Sequence, residues 1–138
     1  MSEAQKQWLK DELAKHNDYT YLVWVNPQPW IGPESPGDDN WMGFVDDRQE
    51  ISQFIADNNI RNLFSLSGDA HMVAFDDGSN SDYSDGTAGF PILHAAAMYR
   101  TGSAKGGPYS HGCFSYDYYV SQQYSVVDIL DTGSLDTR

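Results

Sequence analysis

A short apolar run that ends in a glycine, an acid and a histidine constrains the fold of this chain most. Residues 63–66 predict a buried strand, because brief apolar runs bounded by turn signals are typical of one. Gly68 then allows the backbone to turn sharply as it leaves the sheet. Asp69 and His71 follow at the carboxyl end of the strand, where open α/β sheets bind ligands. A carboxylate and an imidazole on one turn suit a metal ion of intermediate hardness. A turn-capping aspartate and a hydrogen-bonded histidine would also explain the bare motif.

The N-terminal segment predicts an amphipathic helix over residues 3–16. Ser2 and Gln5 match a capping box, in which a hydroxyl oxygen satisfies an exposed backbone N–H of the first turn. Lys6 is expected to face water. Three apolar residues at helical spacing are expected to form the buried stripe: Trp8, Leu9 and Leu13.

The next elements predict a parallel pair of strands joined by a helix. Residues 19–25 are rich in aromatic and β-branched side chains and indicate a strand. A second helix is expected over residues 47–58, because Asp47 and Glu50 match another capping box ahead of an apolar stripe. The strand at 63–66 follows at once. Strand, helix and strand in this order predict a crossover connection and parallel strands.

Between the first strand and the second helix lies a long loop. Pro27 and Pro29, within three residues of Asn26, end the strand, and residues 31–43 are rich in glycine, proline and aspartate. Long loops in compact domains are often functional. Trp30 and Trp41 flank this loop, and they are expected either to pin it by packing or to wall a pocket.

The remainder of the chain predicts short elements separated by polar loops. They are a short strand or helix start at 72–75, an aperiodic acidic loop at 76–89, an apolar strand at 90–99, a glycine-rich loop at 101–112, and a strand at 124–130 followed by a turn. His94, inside an apolar run, is expected to be a satisfied core histidine. Residues 135–138 begin a strand that the chain does not finish, which suggests a truncation.

Composition excludes several functional classes. The 138 residues fit one domain, and the net charge of -12 argues against general nucleic-acid binding, because an acidic surface repels phosphates. No run approaches the roughly 20 apolar residues of a membrane span, and the N-terminus lacks a signal-peptide core. Localisation stays open. The acidic clusters are expected to be solvated loops or, alternatively, oxygen ligands for hard cations.

Two other chemistries lack support in the sequence. Cys113 is the only cysteine, and neither it nor Ser67 has the partners of a catalytic triad. The glycine-rich loop around Lys105 lacks the order of a phosphate-binding P-loop. Lys105 is expected to be solvated or to meet an anion.

Several motifs in order resemble the C-terminal part of the PhoD-like alkaline phosphatases, in the calcineurin-like metallophosphoesterase superfamily. Gly68-Asp69-Ala70-His71 is similar to the late Gly-His-x-His motif of that superfamily, with aspartate in the place of the first histidine, as is common in the PhoD-like branch. The other matching segments are Q-K-Q-W-L at 5–9, N-P-Q-P-W at 26–30, D-N-W-M-G-F at 39–44 with Arg48, the glycine-rich segment 102–112, and Q-Y at 123–124.

The resemblance implies a fold, a metal centre and a substrate class. The fold would be part of a layered α/β/β/α arrangement, a mixed sheet with flanking helices. The two-metal centre would use Ca²⁺, Fe³⁺, Mn²⁺ or Zn²⁺ to hydrolyse phosphomonoesters or phosphodiesters. Asp69 and His71 would be metal ligands and catalytic residues, with Asn26, or alternatively Gln28, as a further metal ligand. The residues expected to bind substrate are Trp30, Arg48 and Lys105.

The early metal motifs of the superfamily do not occur in this sequence. Residues 1–138 are therefore expected to be the C-terminal half of a metallophosphatase domain that is inactive alone, because two or three ligands are too few for a two-metal centre. Such a truncation should also expose strand edges and favour self-association. The alternative is a non-enzymatic acidic α/β module that binds Ca²⁺ or a protein partner through its loops.

Overall fold

Two helices pack on one face of a four-stranded mixed sheet in the computed structural model, which describes residues 1–96, 98–100, 102–111 and 123–130. The predicted α/β class is therefore confirmed. The elements in chain order are α1 (Glu3–Leu13), a 3₁₀ helix (Ala14–Asp18), β1 (Leu22–Asn26), α2 (Val45–Asp57), β2 (Leu63–Ser67), β3 (Val73–Asp76) and β4 (Ile92–Ala95). None of the described helices is long and apolar enough to cross a bilayer.

The strands lie in the spatial order β1-β2-β4-β3. Strands β1, β2 and β4 are parallel, and β3 runs antiparallel to β4. The predicted parallel pair with α2 as its crossover is thus confirmed. Since β3 lies beyond β4, the chain that leaves β2 crosses the end of β4 before it turns back. We call the side of the sheet where β1, β2 and β4 end the carboxyl edge.

Several predicted bounds change because pairing and packing end the elements earlier than sequence patterns do. The first helix tightens into a 3₁₀ turn after Leu13, and Val73–Asp76 is a strand rather than a helix start. The strand expected at 90–99 covers only Ile92–Ala95. The strand expected at 124–130 is wrong, since these residues pair with no strand among those described. Residues 126–130 instead line a groove with Phe64 and Leu93. The turn and strand start expected after residue 130 lie outside the described residues.

The core lies between the helices and the sheet. Leu9 and Leu13 of α1, together with Ile51 and Ile55 of α2, pack against Leu63 and other buried residues of the sheet. Three tryptophans complete this layer, with ring centroids 4.9 Å apart for Trp30 and Trp41 and 5.2 Å apart for Trp24 and Trp30. Edge-on aromatic pairs at such distances add to the stabilisation from buried area.

The buried stripe of α1 differs from the one the sequence predicts. Trp8 is 61% exposed, whereas Lys6, expected in water, is 6% exposed. The stripe is Lys6, Leu9 and Leu13, a spacing of three and four residues that keeps all three on one helical face. The Lys6 ammonium stays charged there because Nζ lies 2.9 Å from Asp47 Oδ1 and 2.5 Å from Glu50 Oε2.

The two predicted capping boxes have different outcomes. At α1, the Ser2 hydroxyl accepts the Gln5 N–H at 3.3 Å, as expected. At α2, the helix begins at Val45 without a side-chain cap, so the box on Asp47 is wrong. Asp47 lies inside the first turn and accepts hydrogen bonds from Lys6 and the N-terminal ammonium. Burial by itself would raise the pKa of Asp47, but these two cations outweigh it and lower the pKa.

An apolar surface remains open along β1, the edge strand next to β2. Val25, Tyr19 and Tyr21 are exposed there, and Trp8 lines the same groove. Nothing in the described residues covers this edge, so self-association through it stays a prediction.

The exposed position of Trp8 changes the expected energetics of α1. We expect Leu9→Ala to lower the free energy of unfolding by about 2–5 kcal/mol, because it leaves a cavity in the core. Trp8→Ala should lower it by less than about 1 kcal/mol, as is usual for surface positions. Urea unfolding followed by circular dichroism measures both values. A larger loss for Trp8→Ala than for Leu9→Ala would contradict the observed burial.

Candidate functional site at the carboxyl edge

The parallel register brings three polar residues into one row. Asn26 of β1 pairs with Ser67 of β2, and Ser67 pairs with His94 of β4. All three are buried. The segment with Asp69 and His71 starts from this row, so it leaves the sheet at the same edge as the chain after Asn26.

The turn after β2 has an unusual backbone. Asp69 and His71 both have positive φ angles, 71° and 40°, in the left-handed region that costs non-glycine residues free energy. Gly68, which the sequence suggested as the turning point, does not have a positive φ, and a Cβ there would meet nothing closer than 3.5 Å. The sharp bend therefore falls on the two polar residues and not on the glycine. Such strain persists where the surroundings enforce it, and functional turns are common examples.

His94 helps to hold this turn in place. Its Nε2 accepts the backbone N–H of Ala70, between the two strained residues, at 3.2 Å, and the same N–H also donates to the Gly68 carbonyl at 2.9 Å. Because Nε2 accepts, the neutral ring carries its hydrogen on Nδ1, which has no hydrogen-bond partner among the described residues. Burial lowers the pKa of His94 to about 4, against the opposing charge of Asp69. The expectation of a satisfied core histidine is thus met at only one of its two nitrogens.

Asp69 and Lys105 form an ion pair at the carboxyl edge. Lys105 Nζ lies 3.0 Å from Asp69 Oδ2, and the two side chains are 43% and 40% exposed. The sequence analysis expected Asp69 to be a metal ligand and Lys105 to contact substrate, and the structure brings the two residues together. An exposed pair of this kind adds at most about 1 kcal/mol to stability, so its geometry matters more for the site than for the fold.

Trp30 and Arg48, expected to bind substrate, are instead buried in the core. Trp30 is 1% exposed, and its Nε1 donates to the Ser81 carbonyl at 2.8 Å. Arg48 is 2% exposed, and its guanidinium lies 3.7 Å from the Tyr83 ring centroid. In this structure neither side chain reaches solvent at the carboxyl edge. For Trp30 this burial is the packing alternative that the sequence left open, whereas the burial of Arg48 was not expected from the sequence.

The Asn26 side chain has little capacity left for a metal ion. Its Oδ1 accepts the indole N–H of Trp41 at 2.9 Å and the Gln28 N–H at 3.4 Å. The atom without a partner among the described residues is Nδ2, a donor. A donor is suited to an acceptor and not to a cation.

The acidic loop after β3 is built from local hydrogen bonds. Asp76 is 0% exposed, and its Oδ1 accepts from the backbone N–H groups of Gly78 and Asn80. Its Oδ2 accepts from the Asn80 amide and the Ser110 N–H. Asp82 likewise accepts the Ser84 and Ala88 N–H groups. These carboxylates shape the loop, as aspartates in turns often do. Asp76 is therefore buried, whereas the sequence predicted a solvated side chain.

Two further residues of the sequence analysis have a clear outcome. The Ser67 hydroxyl donates to the Gln28 carbonyl at 2.9 Å, so it ties β2 to the neighbouring loop. Cys113 lies outside the described residues. Within those residues, no three side chains of histidine, cysteine, aspartate or glutamate form a metal-sized cluster. Asp69 and His71 are therefore not joined by a third side chain of these types among the described residues.

Comparison with known proteins agrees with this architecture. The family model described as PhoD-like phosphatase matches residues 1–104. A solved structure described as "Structure of PhoD" matches with a TM-score of 0.52 and 17% identity, over 70% of this chain and 20% of that one. The chain thus spans about a fifth of the length of that protein, and at this identity the likeness concerns the fold alone. No curated protein matches the sequence.

The buried neutral His94 makes stability depend on pH. Because burial lowers its pKa to about 4 from 6.5, the unfolded chain binds more protons than the folded chain between these values. The contribution of His94 is complete above pH 6.5 and is lost as the pH falls toward 4. We expect a loss on the order of 2 kcal/mol across this window.

The measurement is urea unfolding of the wild type and His94→Gln at several pH values. The difference in free energy between the two proteins should narrow as the pH falls. A difference that stays constant from pH 7 to pH 4 would mean that His94 has the same pKa in the folded and in the unfolded chain.

Proposed function

Because the chain belongs to the PhoD-like phosphatase family, we propose that its carboxyl edge is part of a metal-dependent phosphoesterase site, with Asp69 and His71 as metal ligands. The observation that carries the proposal is the strained turn after β2. Two polar residues flank Ala70, whose backbone N–H is anchored on His94, and both have positive φ angles. A rigid turn of this kind lets a site hold its ligands at fixed positions.

The two residues fit part of a metal donor set. Asp69 already has a cationic partner, the Lys105 ammonium, on Oδ2, and none of the described residues donates a hydrogen bond to its Oδ1. A carboxylate with an imidazole suits several ions, which leaves Ca²⁺, Fe³⁺, Mn²⁺ and Zn²⁺ open. Asn26 is not part of the donor set that we propose, because its oxygen is occupied by Trp41.

The chemistry of such a site divides between the ion and the chain. When bound, the metal would polarise a phosphoryl oxygen and supply an activated water. The chain would orient the ligands through the turn and would place Lys105, a cationic donor, close enough to contact an oxygen of the phosphate ester. Hydrolysis of a phosphomonoester would release an alcohol and phosphate, and hydrolysis of a phosphodiester would release an alcohol and a phosphomonoester.

The proposed site needs more donors than this turn supplies. Two protein ligands are fewer than the three or four that hold a catalytic or structural metal tightly, and a two-metal centre needs more. We infer that other segments of a longer PhoD-like enzyme would complete it. Metal binding by this chain alone should therefore be weak.

Mn²⁺ binding to the full chain tests the proposed ligands. Bound Mn²⁺ broadens NMR signals of nearby nuclei, so the amide signals of Asp69, Ala70 and His71 should broaden first. Asp69→Asn should abolish this broadening, because it removes the anionic ligand. Asp57→Asn is the matched control, since Asp57 is an exposed carboxylate at the far end of α2.

The same experiment separates the enzymatic proposal from a loop-bound cation. Broadening that starts in the acidic loop 76–89 and persists in Asp69→Asn would contradict the proposed site. That result would favour the alternative of a non-enzymatic acidic module.

Activity is the second test. We expect hydrolysis of an aryl phosphate by this chain to stay at background with Mn²⁺, Ca²⁺, Zn²⁺ or Fe³⁺ added, because the donor set is incomplete. The release of the aryl alcohol measures the rate of hydrolysis. Clear turnover that disappears in His71→Ala would show instead that the chain carries a complete site.

A further inference from the structure

A short segment, which we call the strap, crosses the carboxyl edge at residues 102–107. One end is fixed by the Ser103 N–H, which donates to the His71 carbonyl at 3.0 Å. The other end is fixed by the Gly107 N–H, which donates to the Ile31 carbonyl at 3.0 Å. Lys105 lies between these two bonds and reaches Asp69. The position of its ammonium therefore depends on where the strap is anchored.

The segment that holds this end of the strap, residues 30–32, we call the anchor. The position of the anchor depends in turn on Arg48. Nη1 of Arg48 donates to the carbonyls of Trp30 at 3.0 Å and Gly32 at 2.9 Å, the two residues that flank Ile31. The Ile31 carbonyl lies between these two held carbonyls and accepts the Gly107 N–H of the strap.

The strap and the anchor touch through their backbones. A Cβ on Gly106 would lie 2.1 Å from the Ile31 carbonyl oxygen, and Gly106 has a positive φ of 72°. A Cβ on Gly32 would lie 3.0 Å from the Gly106 Cα. Only glycine allows so close an approach, so a shift of the anchor would move the strap by a similar distance.

We propose that Arg48 is a positioning residue for the Asp69–Lys105 pair. It directs the Ile31 carbonyl to Gly107 and thereby sets the strap so that Lys105 faces Asp69. The proposal rests on the roles given to Asp69 and Lys105 under the proposed function. The proposal also explains why the Arg48 guanidinium is buried although it has no carboxylate partner among the described residues. Both of its Nη1 hydrogen bonds go to backbone carbonyls of the anchor.

The acylation rate of each lysine, measured by mass spectrometry on the full chain freed of metal by a chelator, tests this proposal. An ammonium held by a carboxylate is acylated more slowly than a free one. Asp69→Asn defines the rate of an unpaired Lys105, which should be faster by about twofold to fivefold, the range expected for an exposed pair. If Asp69→Asn leaves the rate unchanged, the pair does not form and the proposal is overturned.

Two variants then act at a distance from the pair. Arg48→Met removes the donor to the anchor, and Gly106→Ala pushes the strap away from it. Both should bring Lys105 to the rate seen in Asp69→Asn. Arg61→Met is the control, because Arg61 also donates to a backbone carbonyl, that of Thr87, but is exposed and bonds no residue of the strap or anchor.

Lys6 reports in the same measurement whether each variant is folded. Its side chain is buried against Asp47 and Glu50, so it is acylated slowly only in the folded chain. A folded Arg48→Met with Lys105 at the wild-type rate would overturn the positioning role. If Arg48→Met does not fold, Arg48→Lys replaces it, because the shorter side chain keeps the charge but falls short of the Nη1 position. A wild-type Lys105 rate in folded Arg48→Lys would likewise overturn the proposal.

The outcome is independent of metal binding. A failure of Asp69 to bind Mn²⁺ would count against the proposed function, whereas the acylation rates report only the geometry of the strap.

Discussion

The arrangement of the carboxyl edge depends on the register of three parallel strands. Asn26, Ser67 and His94 lie level with one another, so the chain leaves β1, β2 and β4 at nearly the same height. The connection from β2 to β3 has to pass over the end of β4, and there the Ala70 N–H meets the His94 ring. A slip of one residue in any pair would turn this row to the other face of the sheet. The strained turn and its two polar residues follow from this constraint.

Buried polar groups connect the loops to this framework. Arg48 holds the loop after β1 through two carbonyls, and Asp76 holds the loop after β3 through four N–H bonds. Lys6 joins α1 to α2 through Asp47 and Glu50. A buried polar group without a partner costs about 1–3 kcal/mol, so each of these groups favours the one loop conformation that satisfies it. These interactions therefore fix the positions of the loops, and with them the geometry of the site.

Family membership and site geometry contribute different parts of the functional argument. The family match covers residues 1–104 and includes both the turn with Asp69 and His71 and the strand end at Asn26. The structural likeness covers a fifth of the PhoD chain and concerns the fold. Which residues of this chain act, and how, rests on the contacts at the carboxyl edge. We propose Asp69, His71 and Lys105 as the functional residues, whereas Trp30 and Arg48 are buried in the core.

The sequence by itself determined the class of fold, the chain order of α1, β1, α2 and β2, and the position of the polar turn. These features follow from local patterns, because apolar periodicity and turn residues act over a few neighbours. Only the tertiary structure decided which face of α1 is buried, since Trp8 and Lys6 are both compatible with a helical stripe and the partners on α2 select between them. It also decided that Arg48 holds a loop, that residues 124–130 form no strand, and that Lys105 meets Asp69. Each of these depends on contacts between residues distant in sequence, and the energy of such contacts is not encoded in any local window.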